Sequence, residues 1–278
     1  MEPDDQIRAY FETLYRAWGP QHWWPGRSPF EVIVGTYLTQ NTSWTNVERA
    51  LANLRQARVL TVSGVRRTPL RQLEKLIRSA GYFRQKARRL KTFVKFLDEH
   101  YDGSLTRMFA QPTGKLREEL LSLNGIGPET ADSILLYAGN LPVFVVDAYT
   151  RRIVERHCLA PARATYEEIR QLFERSLTSL ASEPYQPQVS LVALARDPHH
   201  ARRWPRFASG FVRANLGTGT PTGTRHSPSK MSTARRSATA QVFNEMHGLI
   251  VGVGKTFCKK SQPDCEHCPL KKFLPSAQ

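Results

Sequence analysis

The segment from Leu121 to Asp132, Leu-Ser-Leu-Asn-Gly-Ile-Gly-Pro-Glu-Thr-Ala-Asp, constrains the fold more than any other stretch of the chain. One helix must stop near Leu123. Pro128 must open the next, because a first helical turn has no use for the N–H that proline lacks. Only Asn124-Gly125-Ile126-Gly127 lies between them, so the two helices form a tight hairpin. Two glycines one residue apart permit positive φ and let another backbone come close. Their free N–H groups, beside a helix N-terminus, make an anion site suited to a phosphate. Gly-x-Gly turns also occur in helical hairpins for packing alone.

Around this hairpin the apolar periodicity is helical. Ile7, Tyr10, Phe11, Leu14, Tyr15 and Trp18 recur near helical spacing, and Ser28-Pro29 reads as an N-cap and first-turn proline opening the run Phe30 to Leu38. Further helices are predicted at about 44–57, 69–79, 84–100, 115–123, 129–138, 148–157 and 165–180. Strand-like alternation is scarce, and Val143-Phe144-Val145-Val146 reads as an extended connection. The fold class is therefore all-α. Residues 181–240 break the pattern, with nine Lys/Arg against two Asp/Glu and a run such as Gly217-Thr-Gly-Thr-Pro-Thr-Gly-Thr224. Such a stretch cannot bury enough apolar surface to offset its ordering entropy. It is predicted to be a largely disordered insertion with a short helix around 199–215, adding phosphate contacts or serving only as a solvated loop. Helical spacing returns at Val242, Phe243, Met246, Leu249 and Ile250.

Charge narrows the function. Forty Lys and Arg against 24 Asp and Glu leave a formal charge of +16, which favours an anionic partner, nucleic acid above all. No stretch approaches the roughly 20 apolar residues of a membrane span, and the acidic start Met1-Glu2-Pro3-Asp4-Asp5 is no secretory signal. A cytoplasmic chain, nucleoid-associated if bacterial, is expected. In that compartment clustered cysteines are more often metal ligands than disulfide partners; Cys258, Cys265 and Cys268 cluster, whereas Cys158 stands alone.

Leu123-Asn-Gly-Ile-Gly-Pro-Glu-Thr-Ala131 followed by Val145-Val146-Asp147 resembles the hairpin and catalytic-aspartate segment of endonuclease III and its relatives, the helix-hairpin-helix DNA glycosylases. Taken alone, Asp147 reads as the N-cap of the helix that Ala148 begins. The resemblance implies that it also stabilises the oxocarbenium-like sugar as the glycosidic bond breaks, and that Gly125, Ile126, Gly127 and Thr130 meet DNA. Bifunctional relatives carry a lysine two residues before the alanine matching Ala131; Glu129 stands there. A carboxylate cannot form a Schiff base, so a monofunctional glycosylase using water is expected. Adenine-mismatch glycosylases carry a glutamate where Gly35 stands.

His22-Trp23-Trp24-Pro25 and Val34-Gly-Thr-Tyr-Leu-Thr-Gln-Asn-Thr-Ser-Trp44 are similar to the bacterial 3-methyladenine DNA glycosylases of this fold. The resemblance implies that Trp23, Trp24 and Trp44 sandwich the flipped base, with Glu129 as the pocket glutamate. Stacked aromatic faces attract a cationic methylated purine. Gln40 resembles the side chain that fills the gap left by the extruded base. The same residues serve equally as core tryptophans, a first-turn acid and a surface glutamine.

Cys258-x6-Cys265-x2-Cys268 reproduces three of the four ligands of the family's iron–sulfur loop, and Leu274 occupies the fourth position. A [4Fe-4S] cluster with a non-cysteine ligand, a metal-free loop, or zinc with His267 or water stay open. The resemblance implies two helical lobes flanking a DNA-binding cleft: 27–137 with the hairpin, and 1–26 plus 138–278 with the cysteine loop. The expected activity is excision of alkylated purines from double-stranded DNA by a monomer. Its rivals are an endonuclease III-like glycosylase and lyase on damaged pyrimidines, and a non-catalytic binder of damaged DNA.

Overall fold

The computed structural model describes residues 1–182 and 226–275. Among these the regular structure is helical throughout: α1 Pro3–Trp18, α2 Pro29–Thr39, α3 Trp44–Gln56, α4 Val62–Arg67, α5 Leu70–Leu76, α6 Phe83–Tyr101, α7 Leu105–Phe109, α8 Thr113–Leu121, α9 Pro128–Ser133, α10 Ala148–Arg156, α11 Tyr166–Ser182 and α12 Ala238–Thr256. The all-α expectation holds. Two short helices, α4 and α7, were not expected. Each spans too few residues to show a period, and each is started by a hydroxyl cap: Thr61 accepts from the Gly64 N–H at 2.9 Å and Ser104 from the Arg107 N–H at 3.3 Å.

The expected helix at 129–138 is in fact α9 followed by a π turn, Ile134–Ala138, in which the Gly139 N–H donates to Ile134 O at 3.1 Å. The expected disordered insertion also needs correction at its ends. Residues 181 and 182 complete α11, and 226–240 hold a turn that leads into α12. Ser229 and Ser232 tie that turn to themselves, and the Met231 N–H donates to Gly26 O at 3.1 Å. The helix expected near 199–215 lies outside the described residues.

The chain forms two compact units: Met1–Trp23, Val146–Ser227 and Gln241–Gln278 in one, Trp24–Val145 and Pro228–Ala240 in the other. In the first, α1 packs on α11. The faces carrying Ile7, Tyr10, Phe11 and Leu14 and Ile169, Leu172, Phe173 and Leu177 are buried, as their helical spacing requires. Tyr10 also reaches His157 Nδ1 at 2.6 Å, and Gln6 donates to Tyr10 Oη at 2.8 Å and to Phe273 O at 2.9 Å. Gly254 of α12 lies so close to Tyr149 that a Cβ there would sit 2.2 Å from the ring. That close approach explains glycine inside a helix, where it otherwise costs about 1 kcal/mol.

In the second unit α2 is the central helix, buried on every side from Phe30 to Leu38. Ser28 caps it, accepting from the Glu31 N–H at 3.2 Å. Its C-terminus is closed by Lys86 of α6, whose buried ammonium donates to Leu38 O at 2.9 Å, Gln40 O at 2.7 Å and Ala80 O at 2.8 Å. Helices α8 and α9, the arms of the hairpin, are tied by Arg117, which donates to both oxygens of Asp132 at 2.6 and 3.1 Å. Asp132 is fully buried.

Two outcomes follow from this packing. Replacing Asp132 with Ala removes both charge-assisted hydrogen bonds that the half-buried Arg117 makes to it and costs about 1.5–3 kcal/mol, read as a lower urea midpoint at unchanged m-value. Burial also holds His157 and His226 down to about 4. The unfolded chain takes up protons below about 6.5 that the folded one refuses, so stability falls as pH drops from there and the loss is complete below the folded values. Thermal unfolding between neutral and acid pH checks this, with a shallower slope expected for His157→Gln.

Candidate functional site

Asp147 begins α10 as its N-cap. Its Oδ1 accepts from the Thr150 N–H at 2.8 Å and from the Thr150 hydroxyl at 3.0 Å. The preceding residue is fixed too, since the Val146 N–H donates to the Tyr166 hydroxyl at 3.3 Å. The second carboxylate oxygen, Oδ2, lies 3.6 Å from His247 Nε2, too far for a hydrogen bond but close enough for strong electrostatic influence. Burial holds His247 below the ordinary histidine range, while Asp147 pulls it back up. Partial burial likewise lowers the Lys255 ammonium, again against the pull of Asp147. Burial raises Tyr149, and the Asp147 charge adds to that rise. Asp147 thus sits among His247, Lys255 and Tyr149. The sequence reading missed His247 and did not connect Lys255 with Asp147: both lie in α12, far along the chain.

Trp23 belongs to the first unit, its ring 5.5 Å from His226 and 5.9 Å from His247. Trp24 belongs to the second, where it stacks on Tyr137 of the π turn at 5.3 Å and 30° and meets Trp44 edge to face at 5.2 Å and 86°. Tyr137 had not been expected there; the π turn that carries it leaves no sign in the apolar spacing. Trp24 also covers Gly35, where a Cβ would lie 3.6 Å from its indole.

Of the two turn glycines only Gly125 adopts positive φ; Gly127 is extended at φ −96°. Gly125 has φ +83° and Ile126 is buried, while Asn124 and Gly127 are exposed. A Cβ at Gly127 would meet open space. Thr130 is buried and Glu129 is exposed in the first turn of α9. Gln40 reaches this turn from the end of α2: its Nε2 donates to Gly125 O at 3.1 Å and to the Thr130 hydroxyl at 3.0 Å. Tyr82, the N-cap of α6, has φ +42° and is 66 % exposed.

Cys258, Cys265 and Cys268 line one cavity together with Asp264, Arg156 and Leu274. Arg156 clamps the loop, donating to Cys258 Sγ at 3.2 Å, Lys259 O at 2.8 Å and Lys260 O at 3.2 Å. His267 is engaged with Asp264 at 2.7 Å. Burial pushes the Cys268 thiol up to about 11, and the neighbouring thiols add to it. Among the described residues no group of three or more His, Cys, Asp or Glu is arranged to hold a metal ion. With Leu274 offering no donor in the same cavity, the residues present do not fit a four-thiolate cluster. Cys158 is exposed and has no place in this cavity.

Comparison with known proteins places the chain. Residues 34–178 match the HhH-GPD superfamily of base excision DNA repair proteins. A provisionally named DNA repair glycosylase of Methanocaldococcus jannaschii is 35% identical over 97% of this chain and 96% of that protein. Endonuclease III of Thermotoga maritima is 32% identical over 46% of this chain and 56% of that protein. Among solved structures, H. pylori 3-methyladenine DNA glycosylase bound to 1,N6-ethenoadenine shares the fold with a TM-score of 0.62, at 24% identity over 92% of this chain and 98% of that one. A non-covalent endonuclease III–DNA complex gives 0.65 at 20% identity, over 99% and 96%. The chain therefore belongs to the HhH-GPD superfamily of base excision DNA repair proteins.

Proposed function

We propose that this protein is a monofunctional DNA glycosylase that extrudes an alkylated purine from double-stranded DNA and cleaves its glycosidic bond with water. The observation that carries the reading is the Asp147 carboxylate. One oxygen is committed to the helix cap and the other is left beside a buried histidine. Such a carboxylate is fixed in place before substrate arrives, and it puts negative charge where the sugar develops positive charge. It can also orient the attacking water.

The aromatic set supports a purine substrate. Trp24 and Trp44, backed by the buried Tyr137, supply aromatic rings that attract a cationic methylated base by about 1–2 kcal/mol when desolvated. Trp44 meets Trp24 edge to face, so a base sandwiched between them turns one ring on entry. Glu129 supplies a carboxylate in the first turn of α9. The H. pylori protein of the same fold is a 3-methyladenine DNA glycosylase, and endonuclease III of the same fold binds DNA, which agrees with both halves of the reading.

A second reading rests on Lys255. Its amine lies within the electrostatic reach of Asp147 and is lowered in pKa, as a Schiff-base lysine needs to be. It would supply the lyase nucleophile that Glu129 denies the hairpin.

Base release from duplexes carrying methylated purines tests the proposal. Asp147→Asn is expected to lose roughly 10²–10³-fold in rate at nearly unchanged stability, because Asn caps a helix as well as Asp. Free 3-methyladenine from an intact strand supports the first reading. Strand cleavage with a borohydride-trapped adduct that disappears in Lys255→Met installs the second instead.

A further inference from the structure

Gln40 ends α2 with its side chain fully engaged. While Nε2 donates to Gly125 O and Thr130 Oγ1, Oε1 accepts from Arg89 Nη1 at 2.8 Å. Its own carbonyl is held by Lys86. Arg89 lies across the bare face of Gly125, where a Cβ would come within 2.0 Å of its Nε. Arg89 and Gln40 therefore share one network with the hairpin, all within the second unit.

An amide bound in this way cannot enter a duplex without giving up three hydrogen bonds. The acceptor that Arg89 holds is a neutral amide oxygen. A guanidinium binds phosphate through two charge-assisted hydrogen bonds, roughly twice as strong as neutral ones. The turn beside it is the part of the hairpin that a phosphate can approach, with Asn124 and Gly127 exposed and open space on the Gly127 face. We infer that Arg89 is a latch on Gln40: it holds the glutamine against the hairpin in the free protein and releases it when a DNA phosphate takes the guanidinium. Gln40 is then free to fill the gap in the duplex only after the backbone is engaged. Arg89 acts through Gln40 and is a positioning residue.

This inference rests on the reading of the protein as a base-extruding glycosylase. The test uses a duplex with a tetrahydrofuran abasic analogue opposite 2-aminopurine, so that no base is excised and lesion identity does not enter. Stopped-flow fluorescence follows the insertion step, with DNA affinity measured at two salt concentrations. Arg89→Met keeps the apolar stem over Gly125 and removes the donor. Its insertion step is expected to run about tenfold faster, the factor contributed by one hydrogen bond to a charged group, and its salt slope to fall by about one phosphate. Arg89→Lys keeps the cation without the fork that reaches the amide, and is expected to show the faster step at an unchanged salt slope. It also serves if the Met variant fails to fold. Insertion at the native rate, or slower, in a stably folded Arg89 variant overturns the latch alone. A native fluorescence change in Gln40→Ala overturns the filler role of Gln40, and the latch with it.

Discussion

The second unit depends on a single buried ammonium. Lys86 takes up three carbonyls at once: Leu38 and Gln40 at the end of α2, and Ala80 in the turn ahead of α6. Carbonyls at a helix end otherwise go to water or to a cap, and those of Leu38 and Ala80 are buried away from water. The same contact fixes where α2 stops, and so where Gln40 points. Because Gln40 then bridges to Gly125 and Thr130, the hairpin is set relative to the central helix by one lysine side chain. The Arg117–Asp132 pair performs the matching task between the hairpin arms. Neither contact is local in sequence.

The sequence showed clearly what local chemistry decides. Ser28-Pro29, the φ-permissive Gly125, Pro128 as a helix opener and Asp147 as a cap follow from rules that act over four residues, and each is present. The apolar spacing of α1, α2, α6 and α11 followed from burial of one face or of the whole helix. Lys86 and Arg89 are different. In Arg84-Gln-Lys-Ala-Arg-Arg-Leu90 they look like the solvated charges of an amphipathic helix, and only the fold brings two of them inward. The nearness of His247 and Lys255 to Asp147 escaped notice for the same reason, since about a hundred residues of chain separate them from it. The resemblance drew attention to the tryptophans, yet it could not reveal that Trp23 and Trp24 belong to different units or that Tyr137 lies against Trp24.

The cysteine loop illustrates a different limit. Spacing alone left a cluster, zinc and a metal-free loop as options. The structure shows how the loop is anchored: Arg156 binds a thiol and two carbonyls, Leu270 is fully buried, and Phe273 packs on Tyr10 with ring centroids 5.0 Å apart.

Asp147 serves the fold through one oxygen and the proposed chemistry through the other. The two duties tolerate different replacements. Asn and Ser keep the cap, but neither carries a charge. Natural variation at this position can therefore silence the reaction while sparing the architecture. A well-folded protein that still engages DNA and never releases a base lies one substitution away from the proposed enzyme, and selection on stability alone would not remove it.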